Sequence, residues 1–218
     1  MSKLGLYAII PRSKYKSYKG EIGKKAPNLL LVNSINENGE IIDQIRDFTT
    51  TNVNQKWTTD VSEFHISDGK LYLSPILDMH NREIISYTIS KSPNFNQIKT
   101  MLDLAFEKYY DLEGLIFHSD QGWQYQMHYY QNELKARGIR QSMSRKGNCL
   151  DNSPMENFFG IMKNEMFYGH EHDFKSLEEL EQSMVEYIEY YNKNRITTKL
   201  KGLSPLMYRQ HSFNQIQY

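Results

Sequence analysis

Residues 56–90 read KWTTDVSEFHISDGKLYLSPILDMHNREIISYTIS, and this stretch decides the fold. KWTTDVSEFHI alternates and is rich in Thr, Val, Phe and Trp, as a strand with two different faces should be. Asp68-Gly69 makes a tight turn into KLYLSPILDM, and His80-Asn81 turns again into REIISYTIS. Three strands joined by short turns predict an antiparallel meander. Downstream, Pro93-Asn94 opens a helix over NFNQIKTMLDLAFEKYY, where Ile98, Met101, Leu102, Ala105 and Tyr109 keep helical spacing. LIFHSD is a short apolar run between Gly114 and Gly122, the pattern of a buried strand. MHYYQNELKAR predicts a helix ended by Gly138, followed by a strand, IRQSMS, and a turn-rich loop, RKGNCLDNSP. A helix is expected over 154–168, with Ser153 as N-cap and Pro154 at the first helical position. The last helix runs from Ser176, where Glu179 completes a capping box, to about Asn192. The order β-β-β-α-β-α-β-α-α predicts an α/β fold: a five-stranded mixed sheet, three strands antiparallel and then two parallel, flanked by helices.

Upstream of this stretch the pattern is weaker. Residues 11–28, PRSKYKSYKGEIGKKAPN, are aperiodic and Lys-bearing, and read as a flexible basic arm. Glu37-Asn38-Gly39 between LLLV and IIDQI resembles a hairpin turn. The expected division is a basic arm with a possible extra hairpin over 1–53, a folded core over 54–192 and a basic tail over 193–218.

The 218 residues are 39% hydrophobic, enough for one core. The longest aliphatic run, Leu29–Val32, is far short of the ~20 residues a membrane helix needs. The N-terminus has no signal-peptide pattern, and the single cysteine, Cys149, excludes an internal disulfide and a Cys-rich zinc site. A reducing cytoplasm is the expected compartment. Net charge is zero but uneven: residues 1–27 carry seven bases and one acid, 193–218 five bases and no acid, leaving 14 bases and 25 acids between. Basic ends around an acidic middle suit a polyanion held by the ends, or simply soluble tails.

Three acids attract attention. Asp60 lies in the middle of the first strand, a costly place for an unpartnered carboxylate. Asp120 sits at the C-terminal edge of the buried strand, where open α/β sheets gather ligands. Glu156 lies in the first turn of a helix, where its charge suits the dipole. With the first and fourth strands adjacent, Asp60 and Asp120 converge, and the Glu156 helix can cross the sheet to join them. Three oxygen ligands without sulfur describe a hard-cation site for Mg²⁺ or Mn²⁺. Two such ions, roughly 3.5–4 Å apart, serve phosphoryl transfer. A lone Asp at a strand edge equally serves as a turn or cap residue.

KWTTDVSEF, LIFHSDQGWQY, QSMSRKGNCLDNSPMENFFGIMKNEMF and YNKNRITTKLKGLSPLMYR resemble the integrase core of insertion-sequence transposases of the OrfB type, a branch of the retroviral-integrase superfamily. The likeness spans roughly 54–209. That family uses an Asp-Asp-Glu triad with 35 residues between the second Asp and the Glu, and 35 residues separate Asp120 from Glu156. The resemblance implies a ribonuclease H-like fold, Asp60, Asp120 and Glu156 as catalytic metal ligands, about two Mg²⁺ or Mn²⁺ ions, and metal-dependent DNA 3′-end cleavage and strand transfer. Transposon-end and target DNA are the implied partners, with a homo-oligomer as the active form and no membrane.

Lys163, two helical turns after Glu156, resembles the family's basic residue that contacts the transposon end. Met155, Phe159, Met162 and Met166 form a separate stripe that reads as core. Arg145, Lys146 and Asn148 precede the catalytic helix in a basic loop that suits a phosphate grip or a plain turn. Lys199 and Lys201 in the basic tail are further candidate DNA contacts, and Asn152 is placed to orient the helix. His118 stands either beside the metals or in a structural hydrogen bond. His170 and His172 read as surface residues, Cys149 as no nucleophile, and Tyr190-Tyr191 as helix-packing aromatics. Relatives carry an N-terminal helix-turn-helix before this core, and 31–45 look like an insertion. The rival readings are a catalytically silent DNA-binding or regulatory fragment, and a nuclease of RNA–DNA hybrids.

Overall fold

The computed structural model describes residues 25–36 and 38–214; most of the basic arm, and Glu37 of the hairpin turn, lie outside them. The chain first forms an antiparallel hairpin, β1 (Leu31–Ile35) and β2 (Ile41–Arg46), with Gly39 at φ 81° in the turn. The hairpin's base is rooted. The N–H of Asp47 donates to Leu30 O (2.7 Å) and that of Leu29 to Ser142 Oγ (2.9 Å), while Leu30 is buried in the core. Beyond the base it is exposed, with Ile35, Ile41, Ile42 and Ile45 in solvent.

The main sheet then follows: β3 (Lys56–Thr59), β4 (Ser62–Ile66), β5 (Gly69–Asp78), β6 (Ile84–Ser90), β7 (Ile116–Ser119) and β8 (Arg140–Met143). β5 pairs antiparallel with β6 on one side and with β3 and β4 on the other; β3 pairs parallel with β7, and β7 with β8. The mixed antiparallel-then-parallel sheet is therefore as expected, with one difference: the single first strand is two. The register runs Thr59↔Ile76 and Ser62↔Leu73, which sets Asp60 opposite Pro75. Met79 donates to Lys56 O (2.9 Å), and alternation from there aims the nitrogen of residue 75 at Asp60. Proline brings no N–H, so the ladder lapses at that pair. Asp60 thus occupies a break between strands, not the middle of one.

Helices cover both faces. Against Trp57, Ile76 and Phe117 pack α1 (Phe95–Lys108), through Ile98, Met101, Leu102 and Ala105, and α2 (His128–Ala136), through Tyr130 and Leu134. Against Phe64, Leu71, Leu73 and Leu77 pack α3 (Ser153–Met162) and α4 (Leu177–Lys193). The Met155, Phe159, Met162 and Met166 stripe lies in or against this second cluster, as expected of core. Asn94 caps α1 by accepting from Gln97 N (3.0 Å), and Ser176 caps α4 by accepting from Glu179 N (3.2 Å). Ser153 is not the cap of α3: it is already helical at φ −56°, and a 3₁₀ turn, Cys149–Asn152, leads into it. Nor is α4 the last helix. The tail forms α5 (Pro205–Asn214), which lacks a clear apolar stripe and docks through the buried Arg209 on Asp78 and Glu83.

Candidate active site

β3 and β7 run parallel with Thr58 beside His118, so two residues on, where both strands end, Asp60 and Asp120 stand level. Each carboxylate takes a local backbone donor: Asp60 Oδ1 accepts from Val61 N (2.8 Å) and Asp120 Oδ1 from Gly122 N (2.8 Å). Among the described residues neither has an ion-pair partner within salt-bridge distance. Burial and then the charge of Asp120 push Asp60 well above the usual carboxylate range, with Glu156 adding to the rise. Burial likewise raises Asp120, against the pull of the Gly122 N–H. A Cβ at Gly122 would lie 2.9 Å from Asp120 Oδ1 and 2.7 Å from Gln124 Nε2, so any side chain here would displace those groups.

Glu156 sits exposed in the first turn of α3. Asn152 fixes the start of that helix against β3: Thr58 Oγ1 donates to Asn152 Oδ1, and Asn152 Nδ2 donates to Thr59 O (3.3 Å). The charge of Glu156 bears on Asp60, and burial raises its own pKa, with Cys149 pulling it back. Among the described residues no three His, Cys, Asp or Glu side chains are grouped closely enough to hold an ion together. The structure thus brings the two aspartates together and keeps Glu156 near enough for its charge to bear on Asp60, without the three forming one ion-holding group.

Lys163 opens a π-helical turn, Lys163–Phe167, at the end of α3. It is half-buried, donates to Glu63 O (2.9 Å) and lies 4.8 Å from the Phe64 ring. Burial lowers its pKa, and its charge offsets part of the repulsion at Asp60. Arg145 is exposed but already paired within the chain: its Nε and Nη2 reach Asp151 at 3.0 and 2.9 Å. Asn148 accepts from Arg46 (3.1 Å), whereas Lys146, Lys199 and Lys201 are exposed. Asp151 is the residue the sequence did not single out. It is fully buried, and although burial raises it, Arg145 and Arg46 hold its carboxyl far below the usual range. A charged residue in a turn-rich loop reads as solvated, and nothing local reveals a partner at position 46.

His118 is buried between Ser142 Oγ (2.8 Å) and Ser144 Oγ (3.0 Å), and burial pushes its pKa down to about 4. It fills the hydrogen-bonding role left open above. His170 pairs with Asp173 on the surface (2.8 Å), His172 is exposed, and Tyr191 packs in the core while Tyr190 is half exposed. No helix among the described residues is long and apolar enough to cross a membrane.

Comparison with known proteins bears on the family and the fold. Residues 50–149 and 156–213 match two family models, both described as Integrase core domain. The chain is 50% identical over 213 residues to the putative transposase InsK for insertion sequence element IS150 of Escherichia coli, covering 98% of this chain and 70% of that one. It is 53% identical over 216 residues to an uncharacterized transposase-like protein of Haemophilus influenzae, covering 98% and 91%. Among solved structures, the HTLV-2 integrase catalytic core domain in complex with magnesium superposes with a TM-score of 0.57 at 16% identity, over 72% of this chain and 97% of that one. An intasome of simian T-cell lymphotropic virus gives 0.64 at 14% identity, over 86% and 61%. These two likenesses carry the ribonuclease H-like fold alone. With half its residues shared along nearly its whole length, this chain belongs to the insertion-sequence transposases built on the integrase core domain.

Proposed function

We propose that the chain cuts the 3′ ends of its element and joins them to target DNA, with divalent cations held by Asp60, Asp120 and Glu156. The observation that carries this reading is the pair of unpartnered, half-buried aspartates standing level at adjacent strand ends. Two carboxylates raised by burial, Asp60 also by the charge of Asp120, are a site suited to added positive charge. The donors are all oxygen, which fits Mg²⁺ or Mn²⁺, with water and substrate phosphate completing the shell. Bound there, such ions lower the pKa of an attacking water and stabilise the leaving oxygen.

The chain's own residues do the rest. The Val61 and Gly122 N–H groups fix the orientation of the two aspartates. Glu156 has to close on them to complete the set. Lys163, beside Asp60, supplies positive charge where a scissile phosphate would sit. Lys146, Asn148, Lys199 and Lys201 contact the DNA backbone around this centre, with Arg145 presenting only the face left free by Asp151. Strand transfer joins two ends, so the working form is a homo-oligomer on bacterial DNA. Residues 54–192 form the catalytic unit, with the basic arm of 1–53 and the tail of 193–218 flanking it.

The test is Asp120→Asn, assayed with Mg²⁺ on DNA bearing the element's ends. The variant should lose cleavage and strand transfer while still binding DNA. Undiminished cleavage by the variant would remove the site. Salt-dependent DNA binding by the unaltered chain without any nicking would point instead to a silent regulatory fragment.

A further inference from the structure

The hairpin that looks like an insertion reaches the candidate active site. Arg46, the last residue of β2, donates from Nε to Asp151 Oδ1 (2.8 Å) and from Nη2 to Asn148 Oδ1 (3.1 Å). Arg145 grips the same carboxylate from the other side through its backbone N (2.9 Å), Nε (3.0 Å) and Nη2 (2.9 Å). Asn28 Nδ2 adds a further donor to Asp151 Oδ2 (3.0 Å). Every oxygen lone pair of a fully buried side chain is thereby spoken for, from three separate stretches of chain. The next residue, Asn152, is bonded to Thr58 and Thr59, immediately before Asp60. The residue after that begins α3, whose first turn carries Glu156.

We infer that Asp151, clasped by Arg46 of the hairpin and Arg145 of the loop, is a positioning residue that sets where the Glu156 helix begins relative to Asp60 and Asp120. This rests on the reading of Glu156 as a metal ligand. The clasp fixes the turn from the outside and Asn152 fixes it from the sheet side, so the helix start has no freedom to slide. A ligand carried on one helical turn needs such support, because small displacements of an outer residue move the ligand out of coordination. The hairpin is therefore a strut: its base is stitched to β8 through Leu29 and Ser142, and its second strand ends on the catalytic loop.

The experiment compares Arg46→Ala, Arg46→Lys, Asp151→Asn and Asp120→Asn with the unaltered protein. Mn²⁺ binding to the DNA-free protein is read by electron paramagnetic resonance, and 3′-end cleavage by single-turnover kinetics alongside the Kd for DNA. Arg46→Ala should weaken Mn²⁺ binding by about tenfold, the low end for an outer partner of a metal ligand, and slow cleavage similarly without changing the Kd for DNA. Arg46→Lys, which keeps the charge, should recover part of both, and Asp151→Asn should resemble or exceed the Ala variant. Arg46 is partly exposed, so its substitution leaves a folded protein even where Asp151→Asn does not. The inference is overturned if Arg46→Ala binds Mn²⁺ and cleaves normally while Asp120→Asn is dead. It is also overturned if Arg46→Ala weakens only DNA binding, which would make Arg46 a phosphate contact. Normal cleavage by Asp120→Asn would instead remove the metal-site reading itself.

Discussion

Replacing Arg209 by Met tests how the C-terminal helix is held. Arg209 is almost wholly buried, and its guanidinium pairs with Asp78 Oδ2 (2.9 Å) and with Glu83, both of them completely buried. Met keeps the stem that packs near the Tyr109 ring, where the guanidinium now lies 4.8 Å from the centroid, but removes the charge. Breaking a buried pair by deleting one partner costs about 3–5 kcal/mol, because the remaining charge is stranded. Lys108 still reaches Glu83 (2.7 Å), so the lower end, about 3 kcal/mol, is expected. For a chain of this size that is about 6–12 °C in Tm. Burial raises the pKa of Asp78 above its ordinary value and Arg209 pulls it back. A carboxyl whose folded pKa is raised holds its proton more tightly in the fold, so it favours folding at low pH and loses that contribution as pH climbs through the raised value. Without Arg209 the rise is larger, so the deficit should be full at pH 7 and narrow toward pH 4. Urea unfolding at both pH values measures it. A triple variant, Arg209→Met with Asp78→Asn and Glu83→Gln, should recover most of the loss. A deficit below about 1 kcal/mol at pH 7, or one unchanged at pH 4, refutes the reasoning.

Three further outcomes follow from the same structure. Asn152→Ala leaves the Thr59 carbonyl and the Thr58 hydroxyl buried without their partner, and should cost about 1–3 kcal/mol in urea unfolding and slow DNA cleavage as well. Lys163→Met removes the charge that offsets repulsion at Asp60, so the acid limb of the cleavage pH profile at saturating DNA should move to higher pH; an unmoved limb counts against their coupling. Phe158→Ala, at a fully buried ring between α3 and α4, should cost about 3–5 kcal/mol by thermal or urea melting, with little loss showing that the site collapses on truncation.

Local pattern carried a large part of this protein. Alternation in 56–90 and the 3.6-residue stripe of α1 are properties of neighbouring residues, and the sheet and helix assignments followed from them. The pairing of β3 with β7 followed from connection rules, and with it the meeting of Asp60 and Asp120. Helix α5 escaped because its residues keep no apolar period; a buried arginine, not a stripe, attaches it. Ser153 was misplaced as a cap because a 3₁₀ turn and a helix start look alike in sequence.

What the sequence by itself determined is which side chains can carry the chemistry, since residue type and spacing along one strand or one helix are written in the chain. What only the tertiary structure decided is their state. The strand break at Asp60 depends on Pro75, across the sheet and fifteen residues away. The commitment of Arg145 depends on Asp151, and the burial of Asp151 on Arg46, 105 positions upstream. The lapse of one backbone hydrogen bond and the pairing of one buried charge are contacts between distant segments, and no periodicity of either segment encodes the other.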